Sequence, residues 1–254
     1  MSTLVCLHGL TDTGRSWDLV RDQLAAEHDL HTPTLLGHAG GPAYAGDPSL
    51  KAIADQLEKD LDAAGIGTAH IAGNSLGGAL ALELGARGRA DTVVALAPAG
   101  GWTDGGKTFE DTAKFFRMMH NLLQQAAPHA DAIAATPEGR ARALQMTAVN
   151  QDHIPSELIA HQIRSAAACE ILLPLMDWAA GGGLSTTNLG PIDVPVRIVW
   201  GTEDQILPYP ASTEGFKTQV PDAEWVILDN VGHCPQLDVP EQTARLILEV
   251  TSPT

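Results

Sequence analysis

Short, nearly continuous apolar runs recur along the whole chain. They occupy residues 4–7, 71–72, 93–96, 196–200 and 225–228. Continuous rather than alternating apolar runs are typical of strands that are covered on both faces, as in a parallel sheet. These runs therefore predict the strands of one central sheet.

Helical periodicity fills several of the intervals between these runs. Ile53, Leu57 and Leu61 recur every four positions in residues 50–64, with charged residues on the other faces. Similar patterns predict further helices over residues 16–27 and 240–250. Strands that alternate with helices predict an α/β fold, a mostly parallel central sheet with helices on both faces.

One long block departs from this alternation. Residues 102–188 contain no convincing strand, and prolines divide the block into helical segments predicted over residues 109–126, 138–149, 156–168 and 170–180. We therefore expect a core formed by residues 1–101 and 189–254, with residues 102–188 inserted as a helical lid, or cap. We expect the lid to leave and to return at the carboxyl ends of the strands, where α/β proteins bind ligands.

Composition and charge exclude several classes of partner. The chain has 254 residues, of which 44% are hydrophobic, and a formal net charge of −16, which repels phosphate backbones. Cys6, Cys169 and Cys234 are too far apart for a metal site or a disulfide framework. The first residues of the sequence show no basic segment followed by a cleavage site, and the sequence has no apolar run of about 18 residues, so we expect no leader. We expect a cytoplasmic protein without a nucleic-acid partner, a metal or a membrane span.

The candidate chemistry centres on Ser75, which has Gly73 and Gly77 as its second neighbours. An apolar run precedes this stretch and a helical pattern follows it. The combination is the pattern of a nucleophile elbow, a sharp turn between strand and helix that exposes a serine hydroxyl. Side chains at the two glycine positions would collide with the backbone of so tight a turn. Ser75 is therefore the predicted nucleophile.

A serine hydroxyl needs a base, usually a histidine that a carboxylate orients. His233 follows the last predicted strand and Asp204 follows the strand before it, so both lie at carboxyl ends. Serine, aspartate, histidine is the order along the chain that is expected of hydrolases with a nucleophile elbow. Glu203 and Asp104 remain alternatives for the acid.

An oxyanion site needs backbone N–H donors close to the acyl carbon. Leu76 directly follows the nucleophile, and Leu10 lies in the loop after the first strand. Their N–H groups are the predicted donors, and Gly9 lets the backbone turn before Leu10.

In this order along the chain, the motifs resemble the α/β-hydrolase superfamily of the capped type. They are residues 7–10, 35–40, 73–77, 201–204 and 232–233. The resemblance implies a hydrolase that cleaves a small or medium ester, thioester or lactone through an acyl-enzyme on Ser75, without a cofactor. Members that act on epoxides or haloalkanes carry Asp at the elbow. Asn74 departs from the histidine that many members carry before the nucleophile.

Other roles stay open in the sequence. Trp102, Met118 and Trp178 are expected to line the acyl pocket, while Asp238 is interpreted as a turn former or helix-start carboxylate. The same scaffold fits a signalling or ligand-binding protein that keeps the triad with slow or no turnover, or a lipase that acts at lipid surfaces. The natural substrate and the oligomeric state are not determined by the sequence.

Overall fold

The computed structural model describes residues 1–102, 107–180 and 189–252, and in them six strands form one sheet. The strands are β1 (Thr3–Leu7), β2 (Asp29–His31), β3 (Ala69–Asn74), β4 (Ala90–Leu96), β5 (Val196–Gly201) and β6 (Glu224–Leu228). Their order is β2-β1-β3-β4-β5-β6, and every neighbouring pair is parallel. The predicted parallel α/β sheet is confirmed.

Helices cover the sheet and also form a separate block after β4. They are α1 (Arg21–Ala25), α2 (Leu50–Ala63), α3 (Leu76–Ala86), α4 (Lys107–Ala126), α5 (Ala130–Ala134), α6 (Pro137–Leu144), α7 (Ser156–Ala167), α8 (Leu172–Trp178), α9 (Glu214–Gln219), α10 (Pro235–Asp238) and α11 (Pro240–Thr251). We call described residues 107–180 the helical insertion. No strand occurs in this insertion, as the sequence pattern predicts.

Two apolar cores lie on opposite faces of the sheet. Val5 and Leu7 of β1 belong to the core under α2 and α3, whereas Leu4 and Cys6 belong to the core under α11. Successive side chains of a strand point to opposite faces, so β1 must be apolar at each of these positions. This burial on both faces explains the continuous apolar runs in the sequence.

Two helices are shorter than their patterns predict. The helix expected over residues 16–27 is a 3-10 turn, Gly14–Trp17, followed by α1, and Thr13 caps that turn by accepting a hydrogen bond from the Arg15 amide. The helix expected over residues 138–149 ends at Leu144. Beyond it, the amides of Val149 and Asn150 donate to the carboxylate of Asp238 instead of to helical carbonyls.

The helical insertion leaves the sheet at the carboxyl end of β4, as expected, but the expected return at the same end is wrong. Because β5 pairs parallel with β4, its first residue, Val196, lies beside Val93 in the middle of β4 and not beside the carboxyl end at Leu96. β5 therefore begins away from the edge of the sheet at which the helical insertion leaves. The carboxyl ends of β1, β3, β5 and β6 share one edge, and the loops that follow them carry the candidate site.

Candidate active site

Ser75 occupies a strained turn between β3 and α3. Its backbone angles are φ 56° and ψ −115°. Residues other than glycine rarely adopt this conformation, which costs about 1–3 kcal/mol. Three backbone hydrogen bonds hold the turn: the Ser75 amide donates to the Leu96 carbonyl over 2.9 Å, and the Ser75 carbonyl accepts from the amides of Ala79 and Ala99 at 3.0 Å. Ser75 itself is only 7% exposed, so the strained turn holds a nearly buried residue.

The two flanking glycines are required by close backbone contacts. A Cβ atom on Gly73 would lie 2.1 Å from the carbonyl oxygen of Gly77, and one on Gly77 would lie 2.2 Å from that of Leu7. Both distances are far shorter than non-bonded atoms tolerate. The steric reason for the glycine spacing in the sequence is therefore present in the structure.

His233 and Asp204 form a buried hydrogen-bonded pair. Nδ1 of His233 lies 2.7 Å from Oδ2 of Asp204, and the two side chains are almost fully buried. The other carboxylate oxygen accepts from the amides of Ile206, at 2.9 Å, and Leu207, at 2.8 Å. With the carboxylate as acceptor, Nδ1 carries the proton and Nε2 is free to act as a base.

The alternative acids are placed differently. Glu203 is exposed, and its side chain lies within 3.5 Å of the Thr202 hydroxyl. Asp104 lies outside the described residues. Of the two candidate acids that the structure describes, Asp204 and Glu203, Asp204 is the one in contact with the imidazole.

A cavity of about 140 Å³ lies between the sheet edge and the helical insertion. Ser75, His233 and Leu10 all line it. Leu76 is the first residue of α3, so its N–H group has no acceptor within the helix. The structure thus brings the predicted nucleophile, base and oxyanion loop to one cavity, with Asp204 behind the base.

His8 fixes the direction of the predicted oxyanion donor. Its Nε2 accepts from the Leu35 amide at 2.9 Å, so Nδ1 carries the hydrogen and donates to the Gly9 carbonyl at 2.8 Å. Burial lowers the pKa of His8 to about 4, which keeps the ring neutral. The C=O and N–H of a trans peptide point in opposite directions, so holding the Gly9 carbonyl also orients the Leu10 N–H. In the sequence, His8 stands out only as part of the motif at residues 7–10.

The side chains that line the cavity are mostly apolar. The helical insertion supplies Phe115, Phe116, Met119, Leu123, Met146, Ile159 and Ile163 to it. Polar lining comes from Asp12, Arg142, Gln145 and Gln162. The cavity therefore offers an apolar chamber with a few polar groups in its wall.

The three predicted pocket residues are not in this lining. Met118 is 58% exposed, because Met119 and not Met118 shares the helix face of Phe115 and Phe116. Trp102 is buried in the main core, and Trp178 packs against that core from its edge. The sequence shows that α4 carries large apolar side chains, but the rotation of the helix decides which of them reach the cavity.

Asn74 joins the elbow to the loop that carries His233, the predicted base. Its Nδ2 donates to the carbonyl of His233 at 3.0 Å and to that of Leu96 at 3.2 Å. Its Oδ1 accepts from Nε2 of Gln236 at 3.1 Å and from the thiol of Cys234 at 3.4 Å. Burial raises the pKa of that thiol, which keeps it uncharged. From sequence, Asn74 was visible only as a departure from the usual histidine.

The chain belongs to the alpha/beta hydrolase family. The model of that family matches residues 4–246, nearly the whole chain. Within the family, the chain is 32% identical over 206 residues to the protein named "Epoxide hydrolase EphH" of Mycobacterium tuberculosis, an alignment covering 77% of this chain and 91% of that protein.

A second relative covers almost all of both chains. It is named "Pimeloyl-[acyl-carrier protein] methyl ester esterase" of Aromatoleum aromaticum, and it is 30% identical over 263 residues, 97% of each chain. Among solved structures, one described as a putative lipase from Acinetobacter baumannii superimposes with a TM-score of 0.76 at 24% identity, over 98% of this chain and 84% of that one. At this identity the superposition supports the fold alone.

Two further findings concern the described part of the chain only. None of its helices is both long and apolar enough to cross a bilayer. It also contains no group of three or more His, Cys, Asp or Glu side chains placed to hold a metal ion.

Proposed function

We propose that the protein is a serine hydrolase that cleaves a small or medium carboxylic ester, or a related thioester or lactone, through an acyl-enzyme on Ser75. One observation carries the proposal: the His233–Asp204 hydrogen bond, with Ser75 and His233 on one mostly apolar cavity. A serine, an oriented imidazole and a carboxylate are the groups that acyl transfer requires.

In the first half of the reaction, Nε2 of His233 takes the hydroxyl proton as Oγ of Ser75 attacks the acyl carbon. The N–H groups of Leu10 and Leu76 stabilise the oxyanion. The tetrahedral intermediate collapses, and the imidazolium gives its proton to the departing alcohol. Asp204 holds the ring in the productive tautomer throughout.

In the second half, His233 takes a proton from a water molecule that attacks the acyl-enzyme. The carboxylic acid then leaves and Ser75 regains its proton. Every proton that is taken is returned, and the net reaction is a hydrolysis without change of oxidation state, so the cycle needs no external oxidant or reductant.

The volume of the cavity restricts the substrate. A cavity of about 150 Å³ lined by leucine, isoleucine and phenylalanine holds a benzene molecule. The cavity here, at about 140 Å³, therefore suits an acyl group of roughly that size. We propose that residues 102–188 act as a lid over it, since described residues of this block between 115 and 172 supply most of its wall.

The names of the relatives support ester chemistry in part. The pimeloyl methyl ester esterase, and further relatives named as lipases from Moraxella and Psychrobacter, support a hydrolase acting on ester bonds. The relative named as an epoxide hydrolase makes epoxide opening the second candidate. Against it, the elbow carries Ser75, whereas epoxide-acting members of this superfamily carry an aspartate there.

A labelling experiment combined with a substrate panel tests the proposal. We expect a fluorophosphonate probe to label the wild type at Ser75, and p-nitrophenyl esters of two to eight acyl carbons to be turned over. Ser75→Ala should lose both while keeping its circular dichroism spectrum and melting temperature.

The other functions give different results. Labelling of Ser75 without turnover of any ester, thioester or lactone indicates the ligand-binding alternative. Hydrolysis of styrene oxide by both the wild type and Ser75→Ala would contradict the proposal and favour epoxide chemistry.

A further inference from the structure

The loop that carries His233 is bonded to the helical insertion as well as to the sheet. We call residues 229–238, which follow β6, the base loop. The amide of Cys234 donates to the carbonyl of Thr147 at 2.8 Å, and Nε2 of His153 donates to the carbonyl of Leu237 at 2.7 Å. The backbone that follows His233 is therefore paired with the insertion.

Asp238 is the centre of this connection. Its Oδ1 accepts from the amide and the side chain of Asn150, at 2.8 and 2.7 Å, and its Oδ2 accepts from the amides of Val149, at 2.8 Å, and Gly232, at 2.6 Å. The side chain is 1% exposed, so water does not compete for these bonds. One buried carboxylate thus holds the backbone directly before His233 and the backbone of the insertion.

The packing around Asp238 is equally close. Cys234 and Leu237 belong to the apolar cluster of the insertion, together with Leu144 and Ala148, and not to either core of the sheet. A Cβ atom on Gly232 would lie 2.9 Å from the carbonyl oxygen of Thr147. The base loop therefore has no room to shift unless residues 147–150 shift with it.

The connected segment of the insertion continues directly into the cavity wall. Gln145, Met146 and Thr147 line the cavity beside Ser75, and Val149 and Asn150 bind Asp238. An acyl chain in the cavity would touch the first part of this segment, while the second part holds the base loop.

We propose that Asp238 is a positioning residue that couples the 145–150 segment to His233, so that acyl chains long enough to contact this segment align the imidazole and are turned over faster. The proposal rests on the serine hydrolase function argued above. A substrate shifts the equilibrium between aligned and misaligned positions of the His233 imidazole only if it binds the two states with different affinity. Contacts of the acyl chain with residues 145–147 supply that difference.

The test compares Asp238→Asn with the wild type on p-nitrophenyl acetate, butyrate and hexanoate. An amide has one acceptor oxygen, and its NH₂ group would face N–H donors. We expect kcat for the hexanoate to fall by about 10- to 100-fold, the usual effect of misplacing a catalytic group, while KM changes less. The rise of kcat with chain length should disappear, which a general loss of stability would not produce.

Arg140→Gln is the matched control. Arg140 donates to the carbonyls of Gln151 and Ile154 and to the hydroxyl of Ser156, so it holds the next part of the insertion without touching the base loop. We expect this variant to lose thermal stability but to keep the chain-length dependence of kcat.

Asn150→Ala is the second variant, for use if Asp238→Asn does not fold. It removes the side-chain bonds to Asp238 and to the carbonyl of Asn230. We expect a loss of roughly five- to thirtyfold in kcat for the hexanoate, the effect of one to two hydrogen bonds. A wild-type chain-length profile in the folded variant, or the same loss of profile in Arg140→Gln, overturns the proposal. Full activity of Ser75→Ala would overturn the hydrolase function instead, so the two failures are distinguishable.

Discussion

Nδ1 of His233 lies 2.7 Å from Oδ2 of Asp204, in a pair formed by two loops that are 29 residues apart in sequence. Each loop follows the carboxyl end of a neighbouring strand, β5 or β6. The pairing of these two strands in parallel brings Asp204 to His233.

Replacing this acid tests its role in orienting the imidazole. We expect Asp204→Asn to lower kcat by about 10⁴-fold, because the amide favours the wrong tautomer of His233. Steady-state kinetics on a butyrate ester measures the effect. Glu203→Gln is the matched control and should keep wild-type kcat, since Glu203 is exposed. If Glu203→Gln lost more kcat than Asp204→Asn, the acid would be Glu203 and not Asp204.

From the backbone strain at Ser75 we expect that a variant which relieves the strain gains stability but has no activity. Ser75→Gly removes the cost of the backbone angles φ 56° and ψ −115°, whereas Ser75→Ala retains it. We expect both variants to be inactive, and the glycine variant to be more stable than the alanine variant by about 1 kcal/mol, after the entropy cost of glycine. Urea unfolding of the two variants measures this difference. Equal stabilities would show that the turn stores no strain.

The buried His8 predicts a dependence of stability on pH. Its pKa in the folded protein is about 4, below the ordinary value of 6.5. Between these values the unfolded chain binds more protons, so this contribution is complete above pH 6.5 and is lost as the pH falls towards 4. At pH 5 the loss from this one residue is on the order of 2 kcal/mol.

His8→Asn isolates this contribution from other titrating groups, among them His38, whose pKa burial lowers to about 3. Urea unfolding at pH 7 and pH 5 should show that the variant loses about 2 kcal/mol less than the wild type between the two pH values. If the variant and the wild type lost the same free energy of unfolding, His8 would be protonated in the folded protein at pH 5.

Met146 predicts a limit on the length of the acyl chain. Phe115, Met146 and Ile206 line the active-site cavity and also a second cavity of about 220 Å³, so these side chains form the wall between the two. Met146→Ala should open this wall, because it removes the unbranched side chain. We expect the best substrate to become longer by about two to four methylene groups, each worth roughly 0.8 kcal/mol of burial. A panel of p-nitrophenyl esters measures the change, and Met118→Ala, at an exposed position, is the control.

The sequence alone predicts those features that follow from local physics. Burial on both faces makes the strands continuously apolar, and this indicates a parallel sheet. A turn too tight for Cβ atoms requires Gly73 and Gly77, and this points to Ser75. The positions of Asp204 and His233 after strands follow from the same pattern, because parallel strands bring their carboxyl ends to one edge.

Tertiary structure decides every relationship that depends on how elements rotate and pack. The rotation of α4 places Met119 at the cavity and Met118 outside it, although both are large apolar side chains of one helix. The role of Asp238 is likewise hidden in the sequence, because its partners at residues 149 and 150 are almost 90 positions away. Local sequence patterns indicate which side chains are buried. Long-range hydrogen bonds depend on which buried polar groups the packing of the elements brings into contact.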